Sequence, residues 1–203
     1  MSNVINEDII PQQQVGGSSD TSALKELADE DQAKAFYSIV KNRLLNVNEW
    51  EKIGGLLSAD FRLCDEHGKE VNRLIKENDH FKIDVPGPGT VTGDGYDWVQ
   101  VESIDESSSE HEEMTAIKVR PATNPTNEKT DVAHFFSNSA TSSFIIERKN
   151  NVITAGVHGR NEKPNAQAEK TIDKARNTAM AAVAITGFSK IQWQGLVDGL
   201  VKE

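Results

Sequence analysis

The sequence is poor in several features that define common functional classes. It has a single cysteine, Cys64, so no intramolecular disulfide framework can form, and a reducing compartment suits it. Its longest purely apolar run, Ala179–Ile185, is seven residues, against the roughly 20 needed to span a bilayer. The opening MSNVINEDII lacks both a basic segment and an apolar segment, so no secretory signal is expected. Together these features predict a cytoplasmic protein without a membrane partner. A basic surplus is missing as well. The formal net charge is −10, and half of it falls within residues 1–30, where Lys25 is the lone base. Neither part offers the cationic footprint that nucleic acid requires, which excludes that partner class. There is no internal repeat and no heptad run.

What is present divides into a polar start and a patterned remainder. Residues 1–22 contain Gln12-Gln13-Gln14 and Gly16-Gly17-Ser18-Ser19-Asp20 with few large apolar groups. Such a segment cannot offset its ordering entropy, so it reads as a flexible acidic and polar tail preceding one domain over residues 23–203. After it, Phe36, Ile39, Val40, Leu44 and Val47 recur at helical spacing behind an acidic start, Asp29-Glu30-Asp31. Asn48-x-x-Glu51 has the form of a capping box for a short second helix, which Gly54-Gly55 stops. Trp50 on that turn is expected to anchor the core.

From about residue 59 the period becomes two. Phe61 and Leu63 alternate with polar neighbours, as do Phe81, Ile83 and Val85, then Val99 and Val101, then Ile117 and Val119. Phe144 and Ile146 follow, then Ile153, Ala155 and Val157, joined through Asn150-Asn151, a pair that tolerates the positive φ of a two-residue turn. The acidic run Asp105–Glu113 reads as a solvated hairpin tip. Local connections without alternating helices predict an α+β fold with a mainly antiparallel sheet of about six strands, curved or partly closed into a barrel. Pro164 then suits the first turn of a long C-terminal helix with a small-residue face of Ile172, Ala175, Ala179, Ala182 and Val183, interrupted at Gly187. A second amphipathic helix follows, capped by Ser189-x-x-Gln192, with a stripe of Trp193, Leu196, Val197, Leu200 and Val201. That stripe serves either the domain core or a homodimer contact.

The stretch most suggestive of cofactor chemistry is Gly87–Trp98. It has one residue too many for G-x-G-x-x-G, Pro88 removes a backbone donor, and Tyr96-Asp97-Trp98-Val99 reads as a strand, not a phosphate-facing helix. It is therefore expected to be a turn-rich connection between paired strands that can border a binding mouth, with Tyr96 and Trp98 as contact residues. No cofactor and no metal site are expected. A second polar stretch, His158 to Asn165, leaves the last strand. Its His158, Arg160, Asn161 and Glu162 are candidate ligand-binding residues, since Arg160 can fork onto an anion. The weak catalytic candidates are Asp131, His134 and His158. Asp131 could orient His134 as a base, and His158 would complete a set able to hold a metal.

The order of helices, antiparallel strands and a long final helix resembles the helix-grip domains, in which a curved sheet wraps a C-terminal helix around an apolar cavity. A first strand preceding the early helices is not evident. Three functions are carried forward. The first is a non-enzymatic binding or protein-interaction domain whose partner is an unknown small molecule or protein. The alternative is a helix-grip-like carrier of a small apolar ligand, which requires a cavity on the order of several hundred Å³. The third is an enzyme using Asp131, His134 and His158.

Overall fold

In a computed structural model, residues 9–55, 59–85, 89–166, 171–183 and 189–203 are described. Gly87, Pro88, Gly187 and the first eight residues of the expected tail lie outside them. The elements in chain order are β1 (Gly17–Glu26), α1 (Glu30–Leu45), a 3-10 turn (Val47–Glu49), α2 (Trp50–Gly54), β2 (Asp60–Cys64), β3 (His80–Asp84), β4 (Asp97–Ser108), β5 (Glu112–Pro121), β6 (Thr141–Lys149), β7 (Val152–Glu162), α3 (Thr171–Val183) and α4 (Ser189–Leu200). One seven-stranded sheet runs in the order β1-β7-β6-β5-β4-β3-β2, with every neighbour antiparallel. The sheet is unclosed, so β1 and β2 are its edges. All six strands read from the period-two pattern are present.

The seventh strand corrects the sequence reading. Residues 17–22 belong to β1, not to a flexible tail, and Ser19 to Glu26 pair with Gly159 to Val152. Its inward positions are small or polar, so β1 is held by the backbone ladder with β7 more than by burial. Ahead of it, Ile9 is buried against Ala116 and Ile145 on the outer face of the sheet. Asn161 fixes the same arm: its Oδ1 accepts from the N–H groups of Gln14 (2.7 Å) and Val15 (3.1 Å). With β1 in place, the topology is the helix-grip arrangement that the sequence resembles.

Asp29 caps α1 by accepting from the Gln32 N–H at 2.8 Å. Along that helix Tyr37 is buried while Ile39 is half exposed, so the inner stripe is shifted from the expected one. Asn48 is not a cap. Its Oδ1 accepts from Leu63 N–H and its amide donates to Val71 O, which staples the turn to β2. Trp50 is fully buried and meets Phe61, Phe81 and Phe144 with ring centroids 4.7–5.8 Å apart. Its indole N–H donates to Leu44 O. At the β6–β7 turn only Asn150 has positive φ (54°), so the two asparagines do not share the role.

The C-terminal part departs further. Pro164 lies in a bridge with Phe136 and not in a helical turn, and the described helix spans Thr171–Val183. Of the expected α3 face, Ala175, Ala179 and Ala182 are exposed, while Asp173, Arg176, Asn177 and Ala181 are buried; the side chains of Ile172 and Val183 lie outside the described residues. The reason is that its inner side meets a layer of loops rich in polar acceptors and donors instead of the apolar sheet. The α4 stripe behaves as the core alternative requires, since Leu196, Val197, Leu200 and Val201 are buried against the sheet and the early helices. Among the described residues, no helix is long and apolar enough to cross a membrane.

Candidate functional site

Between the inner face of the sheet and helices α3 and α4 lies a cavity whose walls are mainly aromatic and aliphatic. Phe61, Phe81 and Phe144 come from the strands, Phe135 and Phe136 from the segment before β6, Met180 from α3 and Trp193 from α4. The polar side chains in the lining are His134, Ser142, Glu162 and Gln192. The cavity encloses about 60 Å³. That is well short of the several hundred Å³ that the carrier reading called for, and below the ~150 Å³ of an engineered apolar cavity that admits benzene.

His134 is held in one tautomer. The Phe136 N–H donates to its Nδ1 at 2.9 Å, so the neutral ring carries its proton on Nε2. Burial pushes its pKa down to about 4; the nearby Asp97 carboxylate opposes this and the Arg176 guanidinium adds to it. The ring stacks on Phe135 at 4.3 Å between centroids. A histidine so far from titration near neutral pH is a poor general base, but a dependable hydrogen-bond donor.

Glu162 reaches the cavity because β7 carries a bulge. The register between β1 and β7 shifts between Gly17 and Ser19, and Asn161 takes a left-handed φ of 56°. The chain then folds Glu162 back over Gly159, where a Cβ would collide with the carboxyl group. Ser19 Oγ donates to Glu162 Oε1 at 3.0 Å. Burial raises the Glu162 pKa, with the Ser19 hydrogen bond and Arg160 acting the other way.

The rim is locked by an ion pair. Arg176 on α3 donates from Nη1 and Nη2 to the two oxygens of Asp97 at 2.9 and 2.5 Å, and both side chains are almost fully buried. Asp97 Oδ1 also accepts from the Phe135 N–H at 2.9 Å, which couples the helix to the segment carrying His134. Nearer the start of α3, Asp173 accepts from Val91 N–H, Thr92 N–H and the Thr92 hydroxyl at 2.8–3.1 Å. The glycine-rich connection therefore grips α3. Its own turn is closed by Gly95 N–H donating to Thr90 O and Gly93 N–H donating to Thr90 Oγ1.

The other expected site residues are distributed differently. Trp98 packs with Cys64, Ala133 and Tyr96 on the outer face of the sheet, and its indole N–H donates to Gly93 O. Tyr96 is half-buried with the Lys82 ammonium 4.5 Å above its ring. His158 and Arg160 alternate with the core residues Ile153, Ala155 and Val157 and so lie on the outer face. There, Asp20 Oδ1 holds His158 Nδ1 at 2.6 Å and Arg160 Nη2 at 2.7 Å. His158 is thus on the opposite side of the sheet from His134, and the set Asp131, His134 and His158 does not assemble. Among the described residues, no group of three His, Cys, Asp or Glu side chains is placed to hold a metal. Of the candidates, only His134 and Glu162 share the cavity. Sequence reasoning missed Asp97 and Arg176. The polar spacing Asp173, Arg176, Asn177 on an alanine-rich helix was the available signal for the second.

No protein-family model and no curated protein matches the sequence. Among solved structures, a hypothetical protein from Helicobacter pylori aligns over 99% of this chain and 96% of its own, at 14% identity and a TM-score of 0.53, which supports a shared fold. Major latex-like protein 151 from Panax ginseng aligns over 84% and 96% of the two chains at 12% identity and a TM-score of 0.35. The di-domain ARO/CYC protein of the steffimycin biosynthetic pathway aligns over 90% of this chain and 50% of its own, at 11% identity and 0.39. The last two add nothing to what the topology already shows.

Proposed function

We propose that the chain binds a small, largely apolar molecule between its sheet and its C-terminal helices. The observation that carries this reading is the cavity itself. Aromatic and aliphatic side chains line it together with a few polar groups, the composition expected of a ligand site. The ligand enters by displacing α3. The inner contacts of that helix are largely polar bonds, to loops and to Asp97 of β4, whereas α4 is anchored by four buried apolar residues. The reading as a protein-interaction surface has less support, because Arg160, Asn161, Glu162 and Trp98 are already engaged within the chain.

Native mass spectrometry of the purified chain, alone and with added small aromatic compounds, tests this. The expected spectrum shows a mass excess of one small molecule per chain that disappears on denaturation. A bare chain mass under all conditions would overturn the reading.

A further inference from the structure

The polar groups in the cavity lining carry information about the ligand. His134 and Glu162 are each only 6% exposed, and both line the same space. The Nδ1 of His134 is occupied by the Phe136 N–H, which fixes the proton on Nε2. Among the described residues that Nε2–H has no hydrogen-bond partner. Oε1 of Glu162 takes the Ser19 hydroxyl, whereas Oε2 is without a hydrogen-bond partner among the described residues. Beside the Ser142 hydroxyl and the Gln192 amide, the cavity thus offers one unengaged donor, His134 Nε2–H, and one unengaged acceptor, Glu162 Oε2, between mainly apolar walls. A desolvated polar group left unpaired is costly, so a ligand that satisfies both is preferred over one that satisfies neither.

We infer that the ligand carries a hydroxyl group on its apolar body, donating to the Glu162 carboxylate and accepting from His134 Nε2–H. This rests on the reading that the cavity holds a ligand, and it adds the ligand's chemical class. The alternatives fit less well. A carboxylate would meet the charge of Glu162 in a low-dielectric site. An ammonium could pair with Glu162 but has no lone pair for the imidazole N–H. A pure hydrocarbon leaves both groups unpaired. The aromatic walls favour a flat ring as the body of an alcohol or phenol. Asn161 and Gly159 serve the same end, since the left-handed turn and the missing side chain let Glu162 fold inward.

The test is titration calorimetry on the full chain with four matched probes: p-cresol, p-xylene, p-toluate and 4-methylbenzylammonium. Methyl and hydroxyl are nearly isosteric, so the first two isolate the hydrogen bonds. The expected order has p-cresol at least tenfold tighter than p-xylene, with p-toluate weakest. His134→Asn keeps an acceptor for the Phe136 N–H, and its shorter side chain withdraws the donor that Nε2–H presents to the cavity. It is expected to shrink the cresol advantage to under about threefold and to leave p-xylene unchanged. Glu162→Gln, judged separately, is expected to do the same. Equal affinity for p-cresol and p-xylene in the unmodified chain would overturn the hydroxyl assignment while leaving the ligand-binding reading intact. Tightest binding of the ammonium or the carboxylate probe would overturn it in favour of a charged ligand. Binding of none of the four would overturn both readings. The unmodified chain alone decides these outcomes if either variant fails to fold.

Discussion

Arg176 and Asp97 form a two-pronged ion pair with both side chains at most 4% exposed, and it joins α3 to the first residue of β4. Such a pair is expensive to desolvate but more expensive to break one-sidedly. Arg176→Met should therefore cost about 3–5 kcal/mol in urea unfolding, because among the described residues it leaves the buried Asp97 carboxylate with the Phe135 N–H as donor but no cation. The double variant Arg176→Met with Asp97→Asn should recover at least about 1 kcal/mol of that loss. A loss below about 1 kcal/mol for the single change would show that the pair does not hold the helix.

The depressed pKa of His134 has a consequence for acid stability. The unfolded chain takes up this proton near the ordinary histidine value of 6.5, the folded chain only at about 4. Between those values the unfolded state binds more protons, so stability falls as pH falls, by up to about 3 kcal/mol from this group. Glu162 acts in the opposite sense. Its raised pKa contributes stability that is present below 4.5 and is lost as pH rises through its folded value. His134→Asn should flatten the net slope of unfolding free energy between pH 6.5 and 4, measured by chemical denaturation at fixed ionic strength. An unchanged slope would contradict the burial of a neutral imidazole.

Asn161 turns the chain with φ of 56° and ties down the N-terminal arm through its side chain. Asn161→Gly keeps the turn and loses the side-chain bonds. Asn161→Ala loses the bonds and adds a left-handed penalty of roughly 1–2 kcal/mol. The alanine variant should accordingly melt below the glycine variant. If the two melt together, the turn is not strained as described.

Val119 projects from β5 into the cavity and is nearly fully buried. Val119→Phe should occupy the space and weaken binding of any cavity ligand by tenfold or more, with an overpacking cost of about 1–3 kcal/mol. Undiminished affinity in a folded variant would place the ligand elsewhere.

The sheet was legible because six of its strands alternate large apolar with polar residues, a pattern that burial on one face imposes. β1 was not legible. Its Gly17-Ser18-Ser19-Asp20 start has the composition of a tail, and the strand owes its place to the ladder with β7, which only tertiary structure provides. On α3 the reading was inverted for a related reason. Counting alanines as the inner face assumes an apolar surface beneath, whereas Asp173, Arg176 and Asn177 meet loops and a carboxylate. Of the site, His134 and Glu162 were visible as polar residues. Their convergence on one cavity depends on a bulge and a tautomer, neither of which leaves a periodic trace.

The chain has three methionines, and two of them bracket the central claim. Met180 lines the cavity, while Met114 packs with Ile9, Ala116 and Ile145 on the outer face of the sheet. Methyl-resolved NMR of ¹³C-methionine-labelled protein during titration with p-cresol reads both in one spectrum. The account predicts a saturable shift of the Met180 methyl with Met114 unmoved. A silent Met180, or parallel drift of both methyls, would contradict a ligand site between the sheet and the C-terminal helices.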